Sequence, residues 1–101
     1  MLNSRCFTST INNFKYVPVL SRFLGITISM YWNDHLPPHY HARYGEYEII
    51  IEIETGVVTG SFPKRSLRHV LEWHDRHQTE LMTNWELCRQ RETIISIEPL
   101  E

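Results

Sequence analysis

The sequence predicts an α+β fold: an antiparallel sheet of four to five strands with two C-terminal helices packed on one of its faces. Three observations carry that expectation. Apolar and polar side chains alternate with a two-residue period in segments between Ile26 and Phe62. Steps of three and four residues replace the alternation from Leu67 to about Gln90. Glycine, proline and asparagine punctuate the first part, and strands that precede helices favour hairpin connections over parallel crossovers.

Each element has its own signal. Residues 1–16 are rich in Asn, Ser and Thr, show no sustained period and read as an N-terminal extension; the α+β domain is expected over 17–101. Ile26, Ile28, Met30 and Trp32 alternate with Thr27, Ser29 and Tyr31, the pattern of a half-buried strand. Asn33 to Pro38 is a turn-rich connection in which the prolines favour extended geometry. A second strand, His39 to Tyr44, and a third, Glu46 to Glu54, flank Gly45. A Tyr44-Gly45 turn would set Arg43 opposite Glu46, His41 opposite Glu48 and His39 opposite Ile50. Thr55-Gly56 leads into a fourth strand, Val57 to Phe62, and Pro63 opens the helical region. Leu67, Val70, Leu71, His74, Leu81, Trp85 and Cys88 form its apolar stripe, interrupted at Gln78, so two helices with a break near His77 to Thr79 are expected. Ile94 to Glu98 alternates again and suggests a short closing strand.

Composition narrows the function. With 42% hydrophobic and 22% charged residues the chain is an ordinary globular one, and a net charge of −2 argues against bulk attraction to nucleic acid or membrane. No apolar run approaches the roughly 18 residues that span a bilayer. Cys6 and Cys88 follow no metal or redox spacing and read as free thiols of a cytoplasmic protein.

The densest chemistry lies in Asp34-His35-Leu36-Pro37-Pro38-His39-Tyr40-His41. Imidazole donates, accepts or binds metal near neutral pH, and the two prolines stiffen the link between the first histidine and the others. Period 2 puts His39, His41 and Arg43 on one side of their strand, with Glu48 in reach on the next. Three readings are open. The cluster fixes a turn through hydrogen bonds; or His35, His39 and His41 with Asp34 or Glu48 bind a divalent metal; or the same histidines act as catalytic acid and base beside a phosphate held by Arg43. Arg65 and Arg68, with Lys64 at the first turn of the helix, are a further candidate anion-binding group. His74, on the apolar stripe, reads as a hydrogen-bonded core residue.

The runs Ser21-Arg22-Phe23-Leu24-Gly25-Ile26, Met30-Tyr31-Trp32-Asn33-Asp34-His35-Leu36-Pro37-Pro38-His39-Tyr40-His41-Ala42, Leu71-Glu72-Trp73 and Asn84-Trp85-Glu86-Leu87, with the tail Ile97-Glu98-Pro99-Leu100-Glu101, resemble a family of short bacterial and archaeal proteins, the domain of unknown function 4160. The resemblance covers about residues 18–101, and it implies that residues 1–16 precede the usual start. Here Glu92-Thr93-Ile94-Ile95-Ser96-Ile97 stands where the family more often carries lysines. The resemblance implies no established activity. It does imply a regulatory or binding component, of toxin–antitoxin type, whose partner is a small protein encoded nearby. Nucleic acid and a second copy of the chain are further candidate partners. The expectation is therefore a cytoplasmic binding or regulatory domain acting through the His-rich turn, with a ribonuclease or metal-dependent hydrolase as the alternative.

Overall fold

Hairpin connections and alternating side chains build a meander. The computed structural model describes residues 18–32 and 34–100. The expected extension over residues 1–16, Cys6 and Asn33 lie outside the described residues. Five strands form one antiparallel sheet in the order β1-β2-β3-β4-β5: Val19–Phe23, Ile26–Ser29, His39–Tyr44, Tyr47–Glu52 and Val58–Gly60. Among the described residues one helix follows, α1, Lys64–Arg89.

β1 was not legible as a strand because its pairing with β2 shifts register between Val19 and Ser21. Leu20 and Ser21 are consequently both buried, and the two-residue period is broken where it would have been read. β2 ends at Ser29; Met30 is still core, but Trp32, expected inside, is 39% exposed. The β3–β4 hairpin turns at Gly45-Glu46, not Tyr44-Gly45, so Tyr44 pairs with Tyr47, Arg43 with Glu48, His41 with Ile50 and His39 with Glu52. Gly45 takes φ +60° at the first of the two turn positions, a conformation that suits glycine. The offset from the expected register is two residues, an even number, so every side chain keeps its face.

The opposite face of β3 and its neighbours makes the core. Ile28, Tyr40, Ala42, Ile49, Ile51 and Ile53 are buried with Val70, Trp73, Leu81 and Trp85 of α1. The helical region is one helix and not two, and the break expected near His77 to Thr79 takes the form of a kink at His77, whose φ of −129° and ψ of 22° are non-helical. Gln78, the polar interruption in the stripe, anchors the bend on the sheet: its Nε2 donates to the Ile53 carbonyl at 2.6 Å. The Ile53 N–H donates to the Pro38 carbonyl, so one residue at the end of β4 holds both the kink and the proline loop.

No closing strand forms over Ile94 to Glu98. Ile97 makes one backbone bond to Leu20, and the rest of the tail is held by side chains of α1: Asn84 both donates to and accepts from Ile95, and Trp73 Nε1 donates to the Glu98 carbonyl. Cys88 is a buried free thiol whose pKa is pushed up to about 11 by burial. No helix among the described residues is long and apolar enough to cross a membrane.

His74 is the hydrogen-bonded core histidine the stripe suggested. Its Nδ1 lies 2.8 Å from the Tyr40 hydroxyl, and it also bonds the Ile53 backbone. Burial lowers its pKa, outweighing the Ile53 bond and the nearby Asp75. The unfolded chain then binds the proton more readily, so this contribution to stability is intact above about pH 6.5 and declines as the pH falls from there toward the lower folded value. Thermal unfolding across pH 7 to 5 should show that decline, with a shallower slope in His74→Gln. Gly60 supplies a second test: its φ is +113°, and an added Cβ would lie 2.8 Å from the Glu48 carbonyl oxygen. Gly60→Ala should lower stability in urea unfolding by about 2 kcal/mol or more.

Candidate metal centre

Alternation along β3 divides its side chains between two environments. Tyr40 and Ala42 enter the core, while His39, His41 and Arg43 share the other face. His39 is nonetheless buried, its ring centroid 5.4 Å from that of Trp85. His41 is covered by Tyr31, stacked on it at 4.1 Å and 25°.

The proline loop returns Asp34 to these rings. The Leu36–Pro37 peptide is cis, and the Pro38 carbonyl is tied to Ile53. Asp34 Oδ2 lies 2.8 Å from His39 Nε2 and 3.5 Å from His41 Nε2. One ligand atom from each of Asp34, His39 and His41 falls within 4.8 Å of the others. Two ligand atoms held at about 2.0–2.1 Å from one ion stand roughly 2.8–3.4 Å apart in octahedral or tetrahedral geometry. The 2.8 Å separation from Asp34 Oδ2 falls at the lower edge of that range and the 3.5 Å separation just beyond its upper edge.

The outer nitrogens of the two rings strengthen the fit. His39 Nδ1 is 2.7 Å from the Pro37 carbonyl, which can only accept, so Nδ1 carries the proton there. His41 Nδ1 is 3.2 Å from Glu48 Oε2, again an acceptor when ionised. Both rings also direct Nε2 at Asp34, to which it donates; a metal would take the place of that proton, with the acceptor on Nδ1 keeping the ring oriented. Glu48 is itself held, with Oε1 accepting from Arg43 Nη2 at 2.9 Å. Burial pushes the Asp34 carboxyl up, but the His35 backbone N–H, the proximity of His39 and hydrogen bonds from His39 and His41 outweigh it, leaving its pKa below the usual value. Burial, followed by the charge of Glu48, raises the Tyr31 hydroxyl.

The structure gathers Asp34, His39, His41, Arg43 and Glu48. It does not add His35 as a third converging imidazole: that ring is 81% exposed, and its Nδ1 pairs with the other Asp34 oxygen at 3.0 Å. Glu48 meets His41 diagonally across the hairpin, on its outer nitrogen, and so stands behind the ring instead of beside the candidate ion. Arg65 and Arg68 are exposed near the start of α1 and take no part in the cluster. Sequence reasoning missed Tyr31 and the Pro37 carbonyl. Tyr31 had a signal, since it alternates in phase with Thr27 and Ser29 on the polar face of β2; the carbonyl, a backbone group, had none.

A family model described as a domain of unknown function (DUF4160) matches residues 25–86, more than half of the chain. The chain belongs to the DUF4160 family. The matched DUF4160 segment runs from the start of β2 to the last turns of α1 and contains all five gathered residues. No curated protein and no solved structure shows detectable similarity to this DUF4160 chain.

Stability separates the roles of the neighbouring polar groups. His35→Ala removes an exposed pair and should change unfolding free energy by less than about 1 kcal/mol. Asp34→Ala leaves two buried imidazoles without their shared acceptor and should cost about 1–3 kcal/mol in metal-free protein, measured by urea unfolding.

Proposed function

We propose that this DUF4160 domain binds a divalent first-row transition metal through Asp34, His39 and His41 and that the centre is hydrolytic. The observation that carries the reading is the convergence of two imidazole Nε2 atoms on one carboxylate oxygen, each ring already oriented by an acceptor on Nδ1. Two imidazoles and a carboxylate suit zinc, iron, cobalt or nickel better than the oxygen-only sites of magnesium or calcium. Three protein ligands also leave positions open, as catalytic sites do and closed structural sites do not.

A metal bound there would supply a Lewis acid and a water activated near neutral pH. The chain's own residues have distinct tasks. Asp34, His39 and His41 hold the ion, the Pro37 carbonyl and Glu48 fix the rings, and Arg43 fixes Glu48. Tyr31 stacks on His41 and limits access of water to that ring. The regulatory reading, with a partner encoded nearby and a cytoplasmic setting, would use the same residues to hold a metal without turnover.

Cobalt titration of the metal-stripped full chain, followed by visible absorption, tests the site. One ion per chain should bind to wild type and to His35→Ala. Asp34→Asn, His39→Gln and His41→Gln should each lose more affinity than the about 10- to 100-fold expected for Glu48→Gln, which disturbs only an outer partner. Unfolding curves identify any variant that fails to fold. Wild-type affinity in folded His39→Gln and His41→Gln would refute the site. Chelator-sensitive hydrolysis of activated esters, restored by cobalt or zinc, separates the enzyme from a metal-holding regulatory domain.

A further inference from the structure

On the face of the sheet away from α1 lies a depression of about 130 Å³. The cross-strand register builds it in two rows: Val19, Ser29 and His41 stand side by side in one, Arg22, Thr27 and Arg43 in the other. Tyr31 adds a wall beyond the end of β2. The space is well above the about 10–15 Å³ that a single water needs, so a group of several carbons fits. Val19, the Tyr31 ring and the Thr27 methyl make its lining largely apolar.

Charge is placed unevenly along the second row. Thr27 has a guanidinium one strand away on each side, Arg22 on β1 and Arg43 on β3, whereas Glu48 stands two strands away on β4. Neighbouring strands lie about 4.7–4.9 Å apart, so an anion above Thr27 is nearer to both cations than to the carboxylate. Local net charge is small, but its arrangement favours an anion at this one position. Arg22 is exposed, and among the described residues no carboxylate pairs with it. Arg43 commits Nη2 to Glu48 and stays 60% exposed. Two guanidinium groups suit one carboxylate, and the apolar lining suits a ligand that carries carbon behind its charge.

Neither Asp34 nor His39 lines this depression, and His41, with Glu48 on its Nδ1, separates it from the candidate metal centre. Its occupant is therefore independent of the metal reading. An extended peptide is a poor fit, because β2 and β3 each have strand neighbours on both sides and their backbone groups are spent within the sheet. We propose that the depression binds a small monocarboxylate with a short branched or aryl body, its carboxylate held by Arg22 and Arg43 over Thr27 and its body against Val19 and Tyr31.

Titration of isocaproate into the metal-stripped full chain, followed by amide chemical shifts, tests the site. Saturable shifts are expected at Val19, Arg22, Thr27, Ser29 and Arg43. Acetate, which lacks the apolar body, should bind at least about tenfold more weakly, as should the uncharged isocaproamide. Arg22→Gln and Arg43→Gln should each weaken isocaproate about fivefold or more, with unfolding curves showing that both variants fold. No saturable shifts at these residues, equal affinity for acetate or the amide, or unchanged affinity in either variant would overturn the site. Binding seen only after cobalt loading would overturn its independence from the metal. Tighter binding of an acetylated tripeptide ending in leucine would overturn the small-molecule assignment.

Discussion

The site depends on which way two imidazole rings face. His39 and His41 sit on one strand with one residue between them, and each has a hydrogen-bond acceptor behind Nδ1. That constraint sends both Nε2 atoms to the Asp34 carboxylate. A ring turned over would present its nitrogens to the wrong neighbours, and the cluster would reduce to ordinary polar contacts. The intervening Tyr40 cannot relax this geometry, because its ring is packed against Trp73 and its hydroxyl is joined to His74 in the core.

The scaffold reaches the loop through Ile53. Its N–H donates to the Pro38 carbonyl, between the loop that carries Asp34 and the strand that carries His39. Its carbonyl receives Gln78 from the kink of α1. The same helix places Trp85 against His39. The helix thus covers the sheet and also limits where the proline loop and the first imidazole can go, which connects the packing of the core to the geometry of the candidate centre.

Much of this was legible from residue order. Alternation gave the faces of β2, β3 and β4, and with them the grouping of His39, His41, Arg43 and Glu48. The grouping survived a wrong turn position because the register moved by an even number of residues. What failed, failed for local reasons. The irregular pairing of Val19 and Ser21 hid β1, and the polar interruption at Gln78 marked the kink at His77 without separating two helices. Two side chains, Asn84 and Trp73, took the place of a backbone ladder in the tail. Within the cluster, Asp34 meets His35 through one carboxylate oxygen and His39 through the other, so residues adjacent in sequence use different atoms of the same group.

The most direct measurement is anomalous diffraction from crystals of the full chain loaded with cobalt. The geometry requires one strong peak at about 2.0–2.2 Å from His39 Nε2, His41 Nε2 and an Asp34 oxygen, with both Nδ1 atoms still on their acceptors. A peak at His35 or Glu48, coordination through Nδ1, or no peak within reach of the two rings would contradict it.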